Sequence, residues 1–97
     1  MRVIAVRTLR EYWEHHSDAE EPLRAWYADA TRATWQTPAD IKALHPKASV
    51  IAGNRIVFNI KGNDYRLVVH INYPAGMVYI RFIGTHAQYD RIDAKTI

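Results

Sequence analysis

The chain has 97 residues, a formal net charge of +3 and no cysteine, and 48% of its residues are hydrophobic, which is ordinary for a globular protein. This size and composition predict one folded domain spanning residues 1–97, and they exclude a disulfide-stabilised scaffold or a zinc site built on thiolates. No apolar run approaches the roughly 20 residues of a membrane span, and the N-terminal stretch is too short for a signal peptide, so we expect a cytoplasmic protein with no membrane contact.

The charges are distributed unevenly along the chain. Residues 1–40 contain five basic and seven acidic residues, whereas residues 41–97 contain eight basic and three acidic ones. A basic half on a small domain indicates a polyanionic partner such as a nucleic acid. On charge alone, a solvated surface that happens to be basic is an equal alternative.

Helical signals follow a short strand candidate at residues 2–6. Two segments with apolar residues at helical spacing come next, and each begins with the spacing of a capping box, at Thr8 and at Ser17. A third helix is predicted to begin with Thr37 as N-cap and Pro38 at its first position. The first two segments predict a helical hairpin.

The hydrophobic period changes from helical to alternating near residue 50. Three turn signals, Gly53-Asn54, Gly62-Asn63 and Pro74-Ala75, separate four runs of alternating apolar and polar residues. These runs predict an antiparallel meander of about four strands. The whole chain is therefore expected to be α+β, with the N-terminal strand and the helical hairpin packed on one face of the sheet.

The two later turns also predict which residues share a face of this sheet. With two-residue loops, Leu67 lies opposite Phe82 on an apolar face, and Val68 lies opposite Arg81 on the other face. That other face has almost no acids, and its polar residues are Arg55, Asn59, Lys61, Arg66, His70, Tyr79 and Arg81. Cations on a rigid sheet neutralise phosphates and aromatic rings stack on unpaired bases, which favours single-stranded RNA or DNA as a ligand. The alternative is an ordinary solvated face, although such a face usually mixes charges of both signs.

The C-terminal stretch "GTHAQYD" offers groups for catalysis after the last strand breaks at its glycine. RNA is cut without a metal when a base takes the 2′-hydroxyl proton, an acid protonates the 5′-oxygen and cations stabilise the phosphorane. An imidazole can act as a general acid or base, which makes His86 a candidate for proton transfer, and the guanidinium of Arg66 matches phosphate oxygens. The alternative is a plain helix start, with Thr85 as N-cap and Tyr89 packed on the core. No zinc-ligand spacing is recognisable, so no metal site is expected.

The stretches "VFNIKGNDYRLVVHINY" and "VYIRFIGTHAQYDRID", with "TPADIKALHP" before them, resemble the HigB family of bacterial toxins, a branch of the RelE-like mRNA interferases. The resemblance covers nearly the whole chain. It implies a RelE-like fold and a ribosome-dependent mRNA endonuclease without a metal cofactor, acting as the toxin of a type II toxin–antitoxin pair. The implied partners are the ribosome, mRNA and a HigA-type helix-turn-helix antitoxin, with operator DNA bound only through the antitoxin.

The resemblance also implies roles for individual residues. Arg66 matches the phosphate-stabilising arginine, His86 matches a catalytic histidine or arginine, and Tyr89 matches the tyrosine that follows it. Lys61 and Asn63 border the implied cleavage site. Because catalytic groups vary within the family, the base is His86 or, as second choice, Lys61. RNA contacts are expected from Asn63 and from the other residues of the polar face, Arg55, Asn59, His70 and Arg81.

Two other functions are consistent with the same basic face. A non-catalytic RNA-binding module would bind RNA in a salt-dependent way without cutting it. A regulatory subunit would use the basic sheet to bind an acidic peptide. Absence of RNA cleavage, even with ribosomes present, would distinguish the RNA-binding module from the nuclease. Toxicity on expression distinguishes the nuclease from the regulatory subunit.

Overall fold

The computed structural model describes all 97 residues and has an α+β architecture, with helices packed on one face of a single sheet. Its elements in chain order are β1 (Arg2–Ile4), α1 (Val6–His15), a 3-10 turn (Ser17–Ala19), α2 (Glu20–Arg32), α3 (Pro38–Leu44), β2 (Ser49–Ile51), β3 (Arg55–Ile60), β4 (Tyr65–Asn72), β5 (Met77–Thr85) and α4 (His86–Tyr89). The strand order across the sheet is β1-β5-β4-β3-β2. This confirms the predicted fold class, with five strands instead of about four because β1 joins the sheet beside β5 in parallel.

Of the three helix starts predicted before the sheet, only the start of α3 matches the structure. The amide of Asp40 donates to the Thr37 hydroxyl, and the Asp40 carboxylate accepts from the Thr37 amide, which forms a complete capping box. The caps predicted at Thr8 and Ser17 are wrong. Helix α1 begins before Thr8, after a left-handed turn at Ala5 (φ 70°), and Ser17 opens the 3-10 turn without a side-chain cap. None of the helices has the length and apolar character needed to cross a bilayer.

The main core lies between the helices and the apolar face of the sheet. Leu9 of α1 and Leu23 of α2 are fully buried there. The rings of Trp26 and Phe58 meet edge to face, with centroids 5.4 Å apart. Each such side chain contributes about 1.5–3 kcal/mol when it is removed from water. The sheet face toward the helices is therefore committed to packing, and only the other face is left for a ligand.

The hairpin of β3 and β4 has the predicted register throughout. Asn59 lies opposite Arg66, and Arg55 lies opposite His70. In the turn, the Asp64 amide donates to the carbonyl oxygen of Lys61 at 3.2 Å. The Gly-Asn turn and the two-residue alternation are enough to specify this pairing because both signals are local.

The hairpin of β4 and β5 departs from the predicted register at a β-bulge. The bulge follows the pair of Val69 and Ile80, and beyond it Val68 lies opposite Phe82. The predicted pairs of Leu67 with Phe82 and of Val68 with Arg81 are therefore wrong. Arg81 is the extra residue of the bulge and has no partner on β4, because Val68 pairs with Phe82 and Val69 pairs with Ile80. The alternation of β5 breaks here and not at its glycine, since the strand continues through Gly84 to Thr85.

The face predicted to be polar carries a second, smaller apolar cluster. Val57 and Val68 are buried there against Ala94, which lies in the segment after α4. The half-buried side chains packed on this cluster are Ile51, Phe82, Tyr89, Ile92 and Ile97. The C-terminal segment thus covers the middle of the face and divides its polar residues into two groups.

Candidate active site

The first polar group lies beside the turn between β3 and β4. Across three adjacent strands, Asn59 lies opposite Arg66, and Arg66 lies opposite Gly84. The amide of His86 donates to the carbonyl oxygen of Asp64 at 3.2 Å, which ties the start of α4 to this turn. The structure therefore brings the predicted residues Arg66 and His86 to the same end of the sheet.

His86 is exposed at the first position of α4. Its helix begins with a capping box, in which the Thr85 amide donates to Gln88 Oε1 at 2.8 Å and the Gln88 amide donates to Thr85 Oγ1 at 3.1 Å. The imidazole Nε2 lies 3.7 Å from Asp90 Oδ1, one turn further on. An accessible imidazole beside a carboxylate can accept or deliver a proton, and the carboxylate can orient it.

The Tyr89 ring packs on apolar residues, as expected from the interpretation of this stretch as a plain helix start. Thr85 is the N-cap, and the Tyr89 ring is half-buried in the second apolar cluster, with its centroid 6.5 Å from that of Phe82. This structural role is present together with an exposed His86, so the two interpretations of the stretch are compatible. The ring contact restricts where the Tyr89 hydroxyl can point.

Arg66 is a half-buried cation without an acidic partner. Its Nη1 donates to the carbonyl oxygen of Asn63 at 3.3 Å, and it forms none of the ion pairs of the protein. Asn63 itself is exposed in the turn, and Asn59 is half-buried on the neighbouring strand. A guanidinium that no carboxylate neutralises remains available to a phosphate.

Lys61 does not lie on the polar face, and that part of the sequence prediction is wrong. Its backbone is left-handed (φ 52°), so the strand alternation ends before it. The side chain turns toward the helical layer, where Nζ lies 2.7 Å from Asp18 Oδ2 and 3.4 Å from Asp64 Oδ2. The hydrogen bond to Asp18 is the main reason that the pKa of Lys61 is raised, which favours its charged form.

Asp18 also belongs to this region, although it was not among the residues predicted from the sequence. Besides holding Lys61, its carboxylate accepts a hydrogen bond from the buried Tyr65 hydroxyl. This bond raises the pKa of Tyr65 to about 12, and the bonds from Lys61 and Tyr65 lower the pKa of Asp18. Asp18 is more than 40 positions from both partners in the chain, so no local pattern indicates the contact.

The second polar group lies at the far end of the same face. Arg55, His70 and Tyr79 form one row across β3, β4 and β5, and the centroids of the His70 and Tyr79 rings are 6.0 Å apart. The Arg55 guanidinium donates to the carbonyl oxygen of Ile97 at 3.0 and 2.6 Å. Arg66 and His70 are separated by four residues of β4, or about 13 Å along a strand. The structure therefore does not bring the predicted RNA-binding residues into one patch.

No three or more histidine, aspartate or glutamate side chains lie close enough together to hold a metal ion. His70 and His86 belong to the two different polar groups. His86 has Asp90 beside it, and His70 has arginines beside it.

Residues 19–92 match the family HigB_toxin, described as the RelE-like toxic component of a toxin-antitoxin system. This match covers most of the chain, from the 3-10 turn to the residues just after α4. The chain belongs to the HigB toxin family. The matched part of this HigB-family chain contains Lys61, Arg66, His86 and Tyr89, while β1 and α1 lie outside it.

Curated relatives cover almost the whole chain. The mRNA interferase toxin HigB of Escherichia coli K12 is 26% identical over 92 residues, which are 93% of this chain and 88% of the relative. The proteins named mRNA interferase HigB from Escherichia coli O157:H7 and Shigella flexneri match to the same extent. These names agree with the endoribonuclease predicted from the sequence, and the family description implies an antitoxin partner.

Proposed function

We propose that this HigB-family chain is an mRNA interferase, an endoribonuclease that cleaves mRNA on translating ribosomes in the cytoplasm and so inhibits translation. The observation that carries the proposal is the meeting of Arg66 and His86 at one end of the sheet, where the bond between His86 and Asp64 joins their segments. The toxin family and the names of the relatives support the same activity. The small size and net charge of +3 suit a protein that works among ribosomal RNA phosphates.

In the proposed reaction, His86 removes the proton from a 2′-hydroxyl of the mRNA. The 2′-oxygen attacks the adjacent phosphorus, the bond to the 5′-oxygen breaks, and that oxygen takes a proton from the Tyr89 hydroxyl. The products are a 2′,3′-cyclic phosphate and a 5′-hydroxyl. His86 is exposed and can meet the substrate, which favours it over Lys61 as the base, because the contact with Asp18 holds Lys61 in its protonated form.

The remaining groups hold the RNA and stabilise charge. The Arg66 guanidinium binds the scissile phosphate and stabilises the extra negative charge of the phosphorane. The Lys61 ammonium is paired with Asp18 and Asp64 beside the turn. The amide side chains of Asn59 and Asn63 contact the RNA on either side of Arg66. In this scheme cations of the chain itself stabilise the transition state.

Regulation follows from the toxin–antitoxin pairing. We infer that the partner is a HigA-type helix-turn-helix antitoxin, which holds the toxin inactive and binds operator DNA for the complex. The basic charge of residues 41–97 favours an acidic antitoxin segment as the inhibitor.

Mapping of mRNA 5′ ends after brief induction tests the function. We expect new 5′ ends in coding regions with a fixed phase relative to codons, and we expect none from the Arg66→Ala/His86→Gln double variant at equal protein levels. New ends without codon phase would contradict the dependence on the ribosome. Growth arrest without new ends would contradict the nuclease and support a non-catalytic RNA-binding module.

A further inference from the structure

We propose that the far end of this sheet face is a second phosphate-binding subsite, which holds the mRNA backbone at a distance from the scissile linkage. The subsite, called the distal patch below, consists of Arg2, Arg55, His70, Tyr79 and Arg81. The inference rests on the proposed function and deepens it, because it adds a region of the substrate that the catalytic groups do not contact.

The sheet topology places Arg2 on the same face as the other members of the distal patch. On β1, Val3 packs against the main core, so its neighbour Arg2 projects to the opposite face. Arg2 lies opposite Met77 on β5, two residues before Tyr79. No local sequence pattern indicates this position of Arg2, because the parallel pairing of β1 with β5 joins segments that are distant in the chain.

The β-bulge brings Arg81 to the distal patch. In a bulge, two consecutive residues oppose one residue of the partner strand, and here Arg81 is the extra residue, left exposed beside Phe82. Burial is the main reason that the pKa of His70 is lowered, and the nearby guanidinium groups of Arg55 and Arg81 lower it further. Arg55 is in turn oriented by its two hydrogen bonds to the Ile97 carbonyl oxygen.

No aspartate or glutamate side chain pairs with the distal patch. None of the ion pairs of the protein includes Arg2 or Arg81, and the Arg55 guanidinium is bonded to the main-chain oxygen of Ile97. No acidic side chain contributes to the shift in the pKa of His70. The buried Nδ1 of His70 also has no hydrogen-bond partner. Several cations held together without a carboxylate attract an anion, and the guanidinium geometry favours phosphate.

The position of the distal patch favours RNA as its ligand. It shares a sheet face with Arg66 and lies about 13 Å from it along β4, beyond the C-terminal segment, so one extended strand of RNA that crosses this segment would contact both. The half-buried rings of His70 and Tyr79, with centroids 6.0 Å apart, offer surfaces on which a base can stack. An acidic peptide would use the arginines but would have no need of these rings.

The first test follows the His70 imidazole by NMR during titration with inorganic pyrophosphate. We expect the resonances of His70 to shift, and its pKa to rise, because a bound anion stabilises the imidazolium ion. Arg81→Ala and Arg2→Ala should weaken this response. Arg10→Ala is the matched control, since Arg10 is exposed on α1, which packs on the other face of the sheet. The absence of a response at His70 would overturn the proposal.

The second test measures binding of a 2′-O-methyl oligoribonucleotide, which cannot be cleaved, at several salt concentrations. Each of Arg2→Ala and Arg81→Ala should reduce the slope of log K against log salt by about 0.7, the value for one phosphate contact on a single strand. Arg10→Ala should leave the slope unchanged. Unchanged slopes in both Arg2→Ala and Arg81→Ala would overturn the subsite. Weakened binding of a polyglutamate peptide with an unchanged RNA slope would also overturn it and would assign the patch to a peptide.

These measurements do not depend on cleavage. A chain that shows the reduced slopes but produces no new mRNA ends would support the distal patch and contradict the proposed nuclease. A chain that cleaves mRNA while the variants keep their slopes would support the nuclease and contradict the distal patch.

Discussion

The backbone amide of His86 donates a hydrogen bond to the carbonyl oxygen of Asp64, with 3.2 Å between nitrogen and oxygen. This single bond connects the start of α4 to the turn between β3 and β4, and Arg66 follows that turn on β4. The proposed base and the proposed phosphate ligand therefore depend on the same local geometry. Changes in the turn, in β5 or in α4 should all affect catalysis.

Replacement of Arg66 should remove most of the activity without unfolding the protein. Loss of one charge-stabilising group usually lowers kcat by about 10²–10³-fold, and we expect this from Arg66→Ala. Arg66→Lys should recover only part, because it keeps the charge but loses the bidentate fork. Single-turnover cleavage of ribosome-bound mRNA measures the effect, and Arg32→Ala on α2 is the control. Full activity of Arg66→Ala would show that the phosphate is held elsewhere.

Replacement of His86 should change the pH dependence of the reaction. A general base must be unprotonated, so the wild-type rate should fall on the acidic side, whereas the residual rate of His86→Gln should not show this acidic limb. The rate at the optimum should fall by about 10²–10⁴-fold. His15→Gln, at an exposed position of α1, is the matched control. An unaltered acidic limb in His86→Gln would identify another residue as the base.

Two substitutions of Tyr89 separate its packing from its chemistry. Tyr89→Phe keeps the ring against Phe82 and removes only the hydroxyl, so it should preserve the melting temperature and lower the cleavage rate. Tyr89→Ala also removes the ring, which leaves a gap in the second apolar cluster and should lower both quantities. Equal cleavage rates in Tyr89→Phe and wild type would mean that Tyr89 only supports the structure.

The contact between Asp18 and Tyr65 predicts a loss of stability at high pH. The folded state raises the pKa of Tyr65 from its ordinary value of 10.0 to about 12, so the phenol stays neutral in the folded chain while it ionises in the unfolded one. The resulting stabilisation is fully present below pH 10.0 and is lost as the pH rises through about 12. Urea denaturation of wild type and Asp18→Asn across this range measures it.

Asp18→Asn should move the titration of Tyr65 back toward its ordinary range. The change is followed by tyrosinate absorbance, as the difference between the two proteins between pH 10.0 and about 12. Tyr65→Phe is the control that assigns the difference to this residue. Identical titration curves for wild type and Asp18→Asn would contradict the hydrogen bond.

Gly84 is required because two side chains occupy the space of a Cβ. An ideal Cβ at this position would lie 2.5 Å from Phe82 Cζ and 2.8 Å from Gln88 Oε1, the oxygen that completes the α4 capping box. Gly84→Ala should therefore cost about 1–3 kcal/mol of stability and should also reduce cleavage by displacing His86. Combination with Phe82→Leu, which removes part of the obstructing ring, should restore some of the loss. Strictly additive effects of the two substitutions would contradict the steric explanation.

The sequence by itself predicted those features of the fold that depend only on residues close together in the chain. The Gly62-Asn63 turn and the two-residue alternation predict the register of β3 with β4, which sets Asn59 beside Arg66. The sequence around Thr37 and Pro38 predicts the start of α3. The resemblance of the C-terminal stretches identified the family, since two short motifs together are specific where each alone is not.

The features that the sequence did not reveal are of two kinds. Some join residues that are distant in the chain, and others interrupt the regular alternation of apolar and polar residues. The pairing of β1 with β5 brings Arg2 beside Met77, and the side chain of Lys61 turns to Asp18 because its backbone is left-handed. The bulge at Arg81 shifts the end of β5, and the C-terminal segment covers Val57. Such contacts depend on the packing of the complete sheet and leave no local pattern, so the division of the basic face into two groups followed only from the folded structure.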